Sequence, residues 1–287
     1  MTQPDLDRPE QTVGRQAHAA LEVLHITGYF ATETAAAYER VGLRAWQGYF
    51  ASRSAPLGRV PGEVVVATFY GFSPGLVLAA IPAAWDTADP ATVLAARHEG
   101  MAEVLHRVLD GTPAVDGVEE ALGLARTATV GLRAHGRPLY AAHASLPWPD
   151  DPLLALWHAA TLLREHRGDG HLSALTIAGL DPVEALVVHG DYGGTTRFLQ
   201  KTRGWSEAEW ADGQDRLAAR GLWADGVLSP AGRELKAQIE AQTDAAGEAG
   251  WQHLGEPGSA RLLALVAPVR DALVASDVFP ARFTAPR

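Results

Sequence analysis

The segment from 152 to 171, PLLALWHAATLLREHRGDGH, holds the densest mixture of apolar and ionisable side chains in the chain. Leu153, Leu154, Leu156, Trp157, Leu162 and Leu163 leave a helix here almost no polar face. A helix that is apolar all round is buried. His158, Arg164, Glu165, His166 and Arg167 are nonetheless set into it, and buried charges must be paired or hydrogen-bonded. At about 100° per residue, His158, Thr161 and Glu165 fall on one stripe. A carboxylate beside an imidazole raises the imidazole pKa and supplies an acid–base pair. The helix is expected to stop at Gly168, with Asp169 capping the next helix and His171 following. HRGDGH then becomes a helix–turn–helix corner. One reading is a structural network of Arg164, Arg167, Glu165 and Asp169. The other is a site in which His158, Glu165, His166 and His171 do acid–base chemistry, and Arg164 or Arg167 anchors a carboxylate or phosphate. A histidine metal site drawn from His158, His166, His171 or His189 is weaker, because the spacing is not HExxH and no acidic cluster accompanies it. No metal and no cofactor is expected.

The first half contributes aromatics at helical spacing. His25, Tyr29 and Phe30 form one set; Trp46, Tyr49, Phe50 and Arg53 form another; Tyr70 and Phe72 follow. Such stripes are core or pocket wall. In a pocket, His25 and Arg53 are the natural polar anchors, and Tyr70 and Trp157 would join the lining. The glycine-rich loop 190–194 lacks the strand-before-helix context of a phosphate loop. No GxSxG elbow occurs, and Ser145 and Ser173, though near histidines in sequence, do not make a triad.

Many elements that must position these residues announce themselves by their starts. Ser73-Pro74, Asp89-Pro90, Asp151-Pro152, Asp181-Pro182 and Ser229-Pro230 each place a capping side chain before a proline at the first helical position. Ser206 with Glu209 is a capping box. Helices are predicted over 14–27, 32–42, 44–54, 62–71, 74–84, 90–110, 117–134, 152–167, 170–178, 182–190, 194–202, 206–220, 230–246 and 258–275. Residues 137–143 read as a short strand or extended arm, and 222–228, centred on Asp225-Gly226, as a hairpin. The fold class is mainly α, multi-helical, with one small β-hairpin. Residues 1–12 read as a disordered tail, 13–143 as an N-terminal helical domain, 144–151 as a linker and 152–287 as a C-terminal domain. An internal pseudo-duplication of the two halves stays open, since no fixed-period repeat is present.

Residues 205–246 run as capped helix, Arg-Gly-Leu, strand, Asp-Gly, strand, Ser-Pro-Ala-Gly and long helix. That order resembles the C-terminal part of a MarR-type winged helix-turn-helix. In the comparison, 206–220 is the helix that enters the groove. It carries Glu207, Glu209, Asp212 and Asp215 against Arg216 and Arg220. The formal net charge is −10, whereas phosphate-tracking proteins need excess Lys and Arg. DNA is thus disfavoured as the partner on charge grounds, without excluding a local basic patch. There are no cysteines, which removes disulfides, thiolate nucleophiles and Cys-ligated metals. No apolar run approaches a membrane span and no leader is visible, so a cytoplasmic protein without membrane contact, monomer or homodimer, is expected.

A wider resemblance rests on TGYFATE (27–33), GYFASRSAPLG (48–58), ATFYGFSPGLVLAAIPAAW (67–85), GRPLYAAHASLPWPDDP (136–152), LWHAATLLREHRGDGH (156–171), the stretch from TRGWSEAEWADG through RGLWADGVLSPAG (202–232) and LVAPVRDALVASDVFP (265–280). Together these resemble the actinobacterial SalK-type helix-turn-helix family. The resemblance implies a helix-turn-helix fold and, by analogy of fold, DNA binding. It brings no catalytic residues with it. Three functions stay open: a small-molecule-binding protein, extending to a cofactor-independent biosynthetic or tailoring enzyme, with a pocket between the halves; a ligand-responsive winged-helix transcription regulator; and an interaction scaffold.

Overall fold

A computed structural model describes residues 13–190 and 195–280. The chain opens with α1 (Val13–Ile26), α2 (Thr32–Arg40), α3 (Ala45–Ser54), α4 (Gly62–Phe69), α5 (Pro74–Ala80) and α6 (Ala83–Thr87). The longer α7 (Pro90–Leu109) and α8 (Val118–Val130) lead to the short α9 (Pro138–Ala144). Then come α10 (Pro152–Ile177), α11 (Pro182–His189), α12 (Thr195–Arg203) and α13 (Glu207–Ala219). A hairpin of β1 (Trp223–Ala224) and β2 (Val227–Leu228) precedes α14 (Pro230–Gly247) and α15 (Ala249–Ala275).

The capped starts fall where the sequence placed them, whereas the last helix, expected from 258, begins at Ala249 with a break at Gly255. Asp89 Oδ1 accepts from the Thr92 amide at 2.8 Å, and Asp151 Oδ1 accepts from Leu154 at 2.9 Å. Asp181 and Glu184 form a reciprocal box, as do Ser206 and Glu209. Each satisfies donors that a helix N-terminus leaves unpaired, which is worth about 1 kcal/mol per cap. The hairpin pairs Trp223 with Leu228 and Ala224 with Val227. Asp225 and Gly226 turn it at φ 54° and 80°, the two positive values that a two-residue hairpin turn requires.

There are three apolar cores, and α10 runs through two of them. Its first half packs with α1, α7, α8 and α15 through Leu153, Leu156, Trp157, Ala160 and Leu163. Helices α2 to α6 enclose a second core around Phe50, Val65, Ile81 and Trp85, closed by Leu139 of α9. The last turns of α10 join α11, α13, the hairpin and α14 in a third, around Leu175, Val187, Trp210, Leu217 and Ile239. No single helix among the described residues is long and apolar enough to cross a membrane.

Two expectations give way. The stop at Gly168 does not occur: α10 is one helix of 26 residues. Glycine costs about 1 kcal/mol within a helix, but at Gly170 a Cβ would lie 2.7 Å from Arg137 Nη1 and 2.8 Å from Ala246 Cβ. The glycine is there so that α14 can pack close. The segment expected as a strand over 137–143 is helix from Pro138 on. Pro138 stands at the first position of α9, and the cap comes from elsewhere, since Asp169 Oδ2 accepts from the Tyr140 amide at 2.9 Å.

Candidate functional site

Glu165 sits on the middle of α10 and is 1% exposed. Its Oε2 accepts from Arg164 Nη1 at 2.7 Å. Its Oε1 lies 3.4 Å from Arg53 Nη2 and 3.9 Å from His25 Nε2. Burial works against its charge, but Arg164 and Arg53 hold it well below the usual carboxylate range. Arg53 comes from α3 and is itself buried, donating from Nη1 to the Tyr49 hydroxyl at 3.0 Å. Its guanidinium lies 4.4 Å over the Phe69 ring, a cation–π contact strengthened by desolvation.

His25 closes the network from α1. Thr161 Oγ1 donates to the Trp157 carbonyl at 3.0 Å. It therefore accepts from His25 Nδ1, 3.1 Å away, and Tyr29 donates to Nε2 at 2.8 Å. That pattern fixes a neutral imidazole with its proton on Nδ1. Burial, followed by the charge of Arg164, pushes its pKa well below the ordinary value. The buried carboxylate thus has an imidazole beside it, but that imidazole is His25 and it is uncharged.

Glu165 and Arg53 face a cavity of about 290 Å³. Arg53 and Tyr49 of α3, Arg164, Asp169 and His171 of α10, His189 of α11 and Arg203 of α12 line it, with Phe69 at the end of α4 and Tyr70 and Phe72 between α4 and α5. Arg203 places its guanidinium 4.4 Å over Phe72. Among the described residues it has no carboxylate partner; its hydrogen bond goes to the Thr202 hydroxyl at 3.4 Å. Burial and then the charges of Arg53 and Arg164 disfavour its ionised form, yet guanidinium does not deprotonate in proteins. The Nε of Arg53 is buried without a partner. A larger groove of about 610 Å³ between α1 and α15 is walled mostly by alanines and shares no residue with this cluster.

The other expected site residues divide. His171 lines the cavity with Nδ1 2.9 Å from the Thr243 hydroxyl, and burial lowers its pKa to about 4. Asp169 also lines it; burial, and after it the charge of Glu165, raises its pKa to about 6. Tyr70 lines it at the strained φ of 31°, its hydroxyl donating to the Leu180 carbonyl. His158 does not reach Glu165. It stacks edge-on against Trp148 at 4.9 Å, and burial, then His98, lowers its pKa to about 4, opposite to the expected rise. His166 turns to Tyr140 at 5.0 Å with Nδ1 unpartnered, and burial lowers its pKa to about 4. Trp157 is core, under Arg97 at 4.7 Å. Arg167 leaves for α14, 2.8 Å from Asp244 and 3.6 Å from Glu240. The glycine-rich loop 190–194 lies outside the described residues apart from Gly190. Among the described residues no group of three or more His, Asp or Glu is placed to hold a metal.

Arg203 was not among the residues singled out from sequence, and His189 appeared only as a metal candidate. Arg203 reaches the cavity because its carbonyl accepts from the Ser73 amide at 2.8 Å, and Trp205 Nε1 donates to the Gly71 carbonyl at 2.9 Å. These bonds link segments about 130 residues apart in sequence, beyond any local pattern. The run TRGW was the available signal: an arginine and a tryptophan flank the glycine that separates two helices.

The winged-helix order is complete in α11, α12, α13, the hairpin and α14. The two bases of α13 are already engaged. Arg216 lies 2.6 Å from Asp181, and Arg220 lies 3.5 Å from Glu184 and bonds the carbonyls of Gly179 and Ala178. Glu207, Asp212 and Asp215 stay exposed. No curated protein and no solved structure matches the chain. A family model described as a helix-turn-helix family matches residues 14–280. That match takes in the three cores and the winged-helix order together, and the chain belongs to this helix-turn-helix family.

Proposed function

We propose that this family member, of the SalK type, is a cytoplasmic small-molecule-binding protein whose cavity between α3, α10, α11 and α12 takes an organic anion. One observation carries the reading: Arg53, Arg164 and Arg203 converge on a cavity in which Glu165 is the ionised partner, and Arg53 Nε and Arg203 keep donors uncommitted. Desolvated guanidiniums recognise carboxylate and phosphate through paired donors. A volume of about 290 Å³ corresponds to about ten water-sized units, so the ligand is small. Phe69 and Phe72 hold the guanidiniums in place, while Leu172, Leu186 and Leu199 give the apolar wall that such pockets use.

The geometry favours binding over catalysis by Glu165. A carboxylate tied to two guanidiniums is a poor base. The test is thermal unfolding with benzoate, phenyl sulfate and phenyl phosphate against neutral benzamide. Anions should raise the midpoint, benzamide should not, and Arg53→Gln should abolish the difference. Equal effects of benzamide and the anions would remove the reading.

Family membership favours a second reading, a ligand-responsive DNA-binding regulator. The acidic face of α13 and the engagement of Arg216 and Arg220 oppose it. Mobility-shift titrations with the upstream promoter across a salt series decide between them, because phosphate contacts must show as salt dependence.

A further inference from the structure

One ring nitrogen in the cavity wall has no partner, and its proton state is fixed from behind. His171 of α10 places Nδ1 2.9 Å from the Thr243 hydroxyl on α14. Thr243 is buried, and its hydroxyl donates to the Ile239 carbonyl at 2.7 Å. A hydroxyl has one proton to give, so toward His171 it accepts, and Nδ1 carries the N–H. Burial lowers the His171 pKa to about 4, so the ring is neutral at pH 7. Nε2 is then a bare lone pair.

The ring itself sets the direction of that lone pair. The two nitrogens of an imidazole point away from each other. Nδ1 faces α14, and no α14 residue lines the cavity, whereas His171 does. Nε2 therefore looks away from α14, to the side where the cavity lies, and among the described residues no donor reaches it. The carboxylates of the wall are already committed. Glu165 is held by Arg164 and Arg53, and Asp169 accepts from the Tyr140 amide. The Tyr70 hydroxyl donates to the Leu180 carbonyl. The wall thus offers a ligand two complementary kinds of group: donors on Arg53 and Arg203, and an acceptor on His171.

We infer that His171 Nε2 accepts a hydrogen bond from the ligand, so that the cavity selects an organic anion carrying a hydroxyl or N–H away from its charged group. This rests on the anion-binding reading above and adds the class of anion. A ligand without that donor strips water from the acceptor and returns nothing, so it binds more weakly. Thr243 lies outside the cavity wall and is a positioning residue: it decides which ring nitrogen carries the proton.

Calorimetric titration of the full chain at pH 7 compares benzoate with meta- and para-hydroxybenzoate and with the matching methoxybenzoates, which keep the oxygen and lose its proton. The better hydroxybenzoate should bind about tenfold more tightly than benzoate and than its own methyl ether, the worth of one hydrogen bond to a desolvated acceptor. Nitrogen NMR spectra of the ligand-free wild type should show His171 Nε2 unprotonated. Thr243→Val keeps the shape of the buried side chain and removes the hydroxyl. The proton should then move to Nε2 in the spectrum, and the hydroxy and methoxy ligands should come within about threefold of each other, because an ether oxygen can also accept from an N–H. His171→Phe should bring the hydroxybenzoate down to benzoate. Hydroxybenzoates no tighter than benzoate, or a wild-type Nε2 that carries the proton, overturn the inference and leave anion binding standing. A Thr243→Val chain that keeps the full hydroxy-to-methoxy ratio overturns it as well. If benzoate binds no better than neutral benzamide, both readings fall.

Discussion

Replacing Glu165 by glutamine removes one charge and almost no volume, which makes it the sharpest probe of the buried cluster. The side chain is 1% exposed and faces Arg164 at 2.7 Å and Arg53 at 3.4 Å. A glutamine can accept from one guanidinium but presents an amide N–H₂ to the other. Removing one partner of a buried pair leaves an uncompensated charge and costs about 3–5 kcal/mol. Two guanidiniums lose their partner here, and one of them, Arg53, is itself buried, so the upper part of that range applies. Each kcal/mol moves the melting temperature of a chain of this size by about 2–4 °C; a fall of roughly 8–20 °C follows. Urea unfolding measured at several pH values is the assay. Glu165 has a depressed folded pKa, so its contribution is fully present above the unfolded value of 4.5 and is lost only as pH falls from there toward the folded value. The gap between wild type and Glu165→Gln should therefore be constant from pH 8 to pH 7, above the titration of Asp169, whose pKa burial and then the charge of Glu165 raise to about 6. A gap below about 1 kcal/mol, or one that opens or closes within that window, would refute a buried ionised carboxylate holding Arg53 and Arg164 together. The Glu165→Gln/Arg53→Gln double-mutant cycle apportions the pair, and a coupling of about 2 kcal/mol or more is expected.

Four buried histidines give a pH prediction of opposite origin: His25, His143 (lowered to about 3), and His158 and His166 (both lowered to about 4), each chiefly by burial. Their folded pKa values lie below the unfolded 6.5, so the unfolded state takes up protons first and stability falls as pH drops below about 6.5; each contributes up to about 1.4 kcal/mol per pH unit. Urea midpoints that stay flat from pH 7 to pH 5 would contradict neutral burial. Two glycines two residues apart on α10 should respond oppositely to alanine. Gly168→Ala meets only ordinary contacts at 3.7 Å and should stabilise by about 0.5–1 kcal/mol, whereas Gly170→Ala strikes Arg137 and Ala246 and should cost about 1–3 kcal/mol; equal unfolding midpoints would refute the close packing of α14. On α13, Asp212→Lys with Asp215→Lys reverses two exposed charges. It should create DNA retardation that weakens steeply with salt, where wild type shows none; salt-sensitive binding by wild type would overturn the charge reading of that helix.

What could be read from the sequence was what neighbours in sequence decide. The Ser-Pro and Asp-Pro starts, the Ser206–Glu209 box and the Asp225-Gly226 turn are local events, and their geometry follows from two to four residues. The apolar surround of 152–167 likewise required burial, whatever it packed against. Positions whose meaning depends on a distant segment were misread or missed. Gly168 and Gly170 look like a helix end until Arg137 and α14 are seen beside them. The start of α9 has no cap in its own sequence, because Asp169 supplies it from 29 residues away. His158 shares a helical stripe with Glu165, but a stripe of one helix says only which direction two side chains point, and Trp148 takes His158 while His25 takes the place beside the carboxylate.

The same distinction separates charge counting on α13, an exposed face, from charge counting on α10, a buried one. Phosphate attraction acts on an exposed face, so the tally of acids and bases along 206–220 is already the relevant quantity, and pairing Arg216 with Asp181 and Arg220 with Glu184 only makes it more negative toward solvent. Inside the protein the relevant quantity is the balance across elements. Segment 152–171 by itself carries Arg164, Arg167, Glu165 and Asp169, two of each sign, and looks neutral. Arg53 and Arg203 arrive from α3 and α12, while Arg167 leaves for Glu240 and Asp244. The excess positive charge at the cavity is thus a property of the assembled helices that no single segment carries. Arg203, at the end of a short helix, joins the cavity only through that assembly.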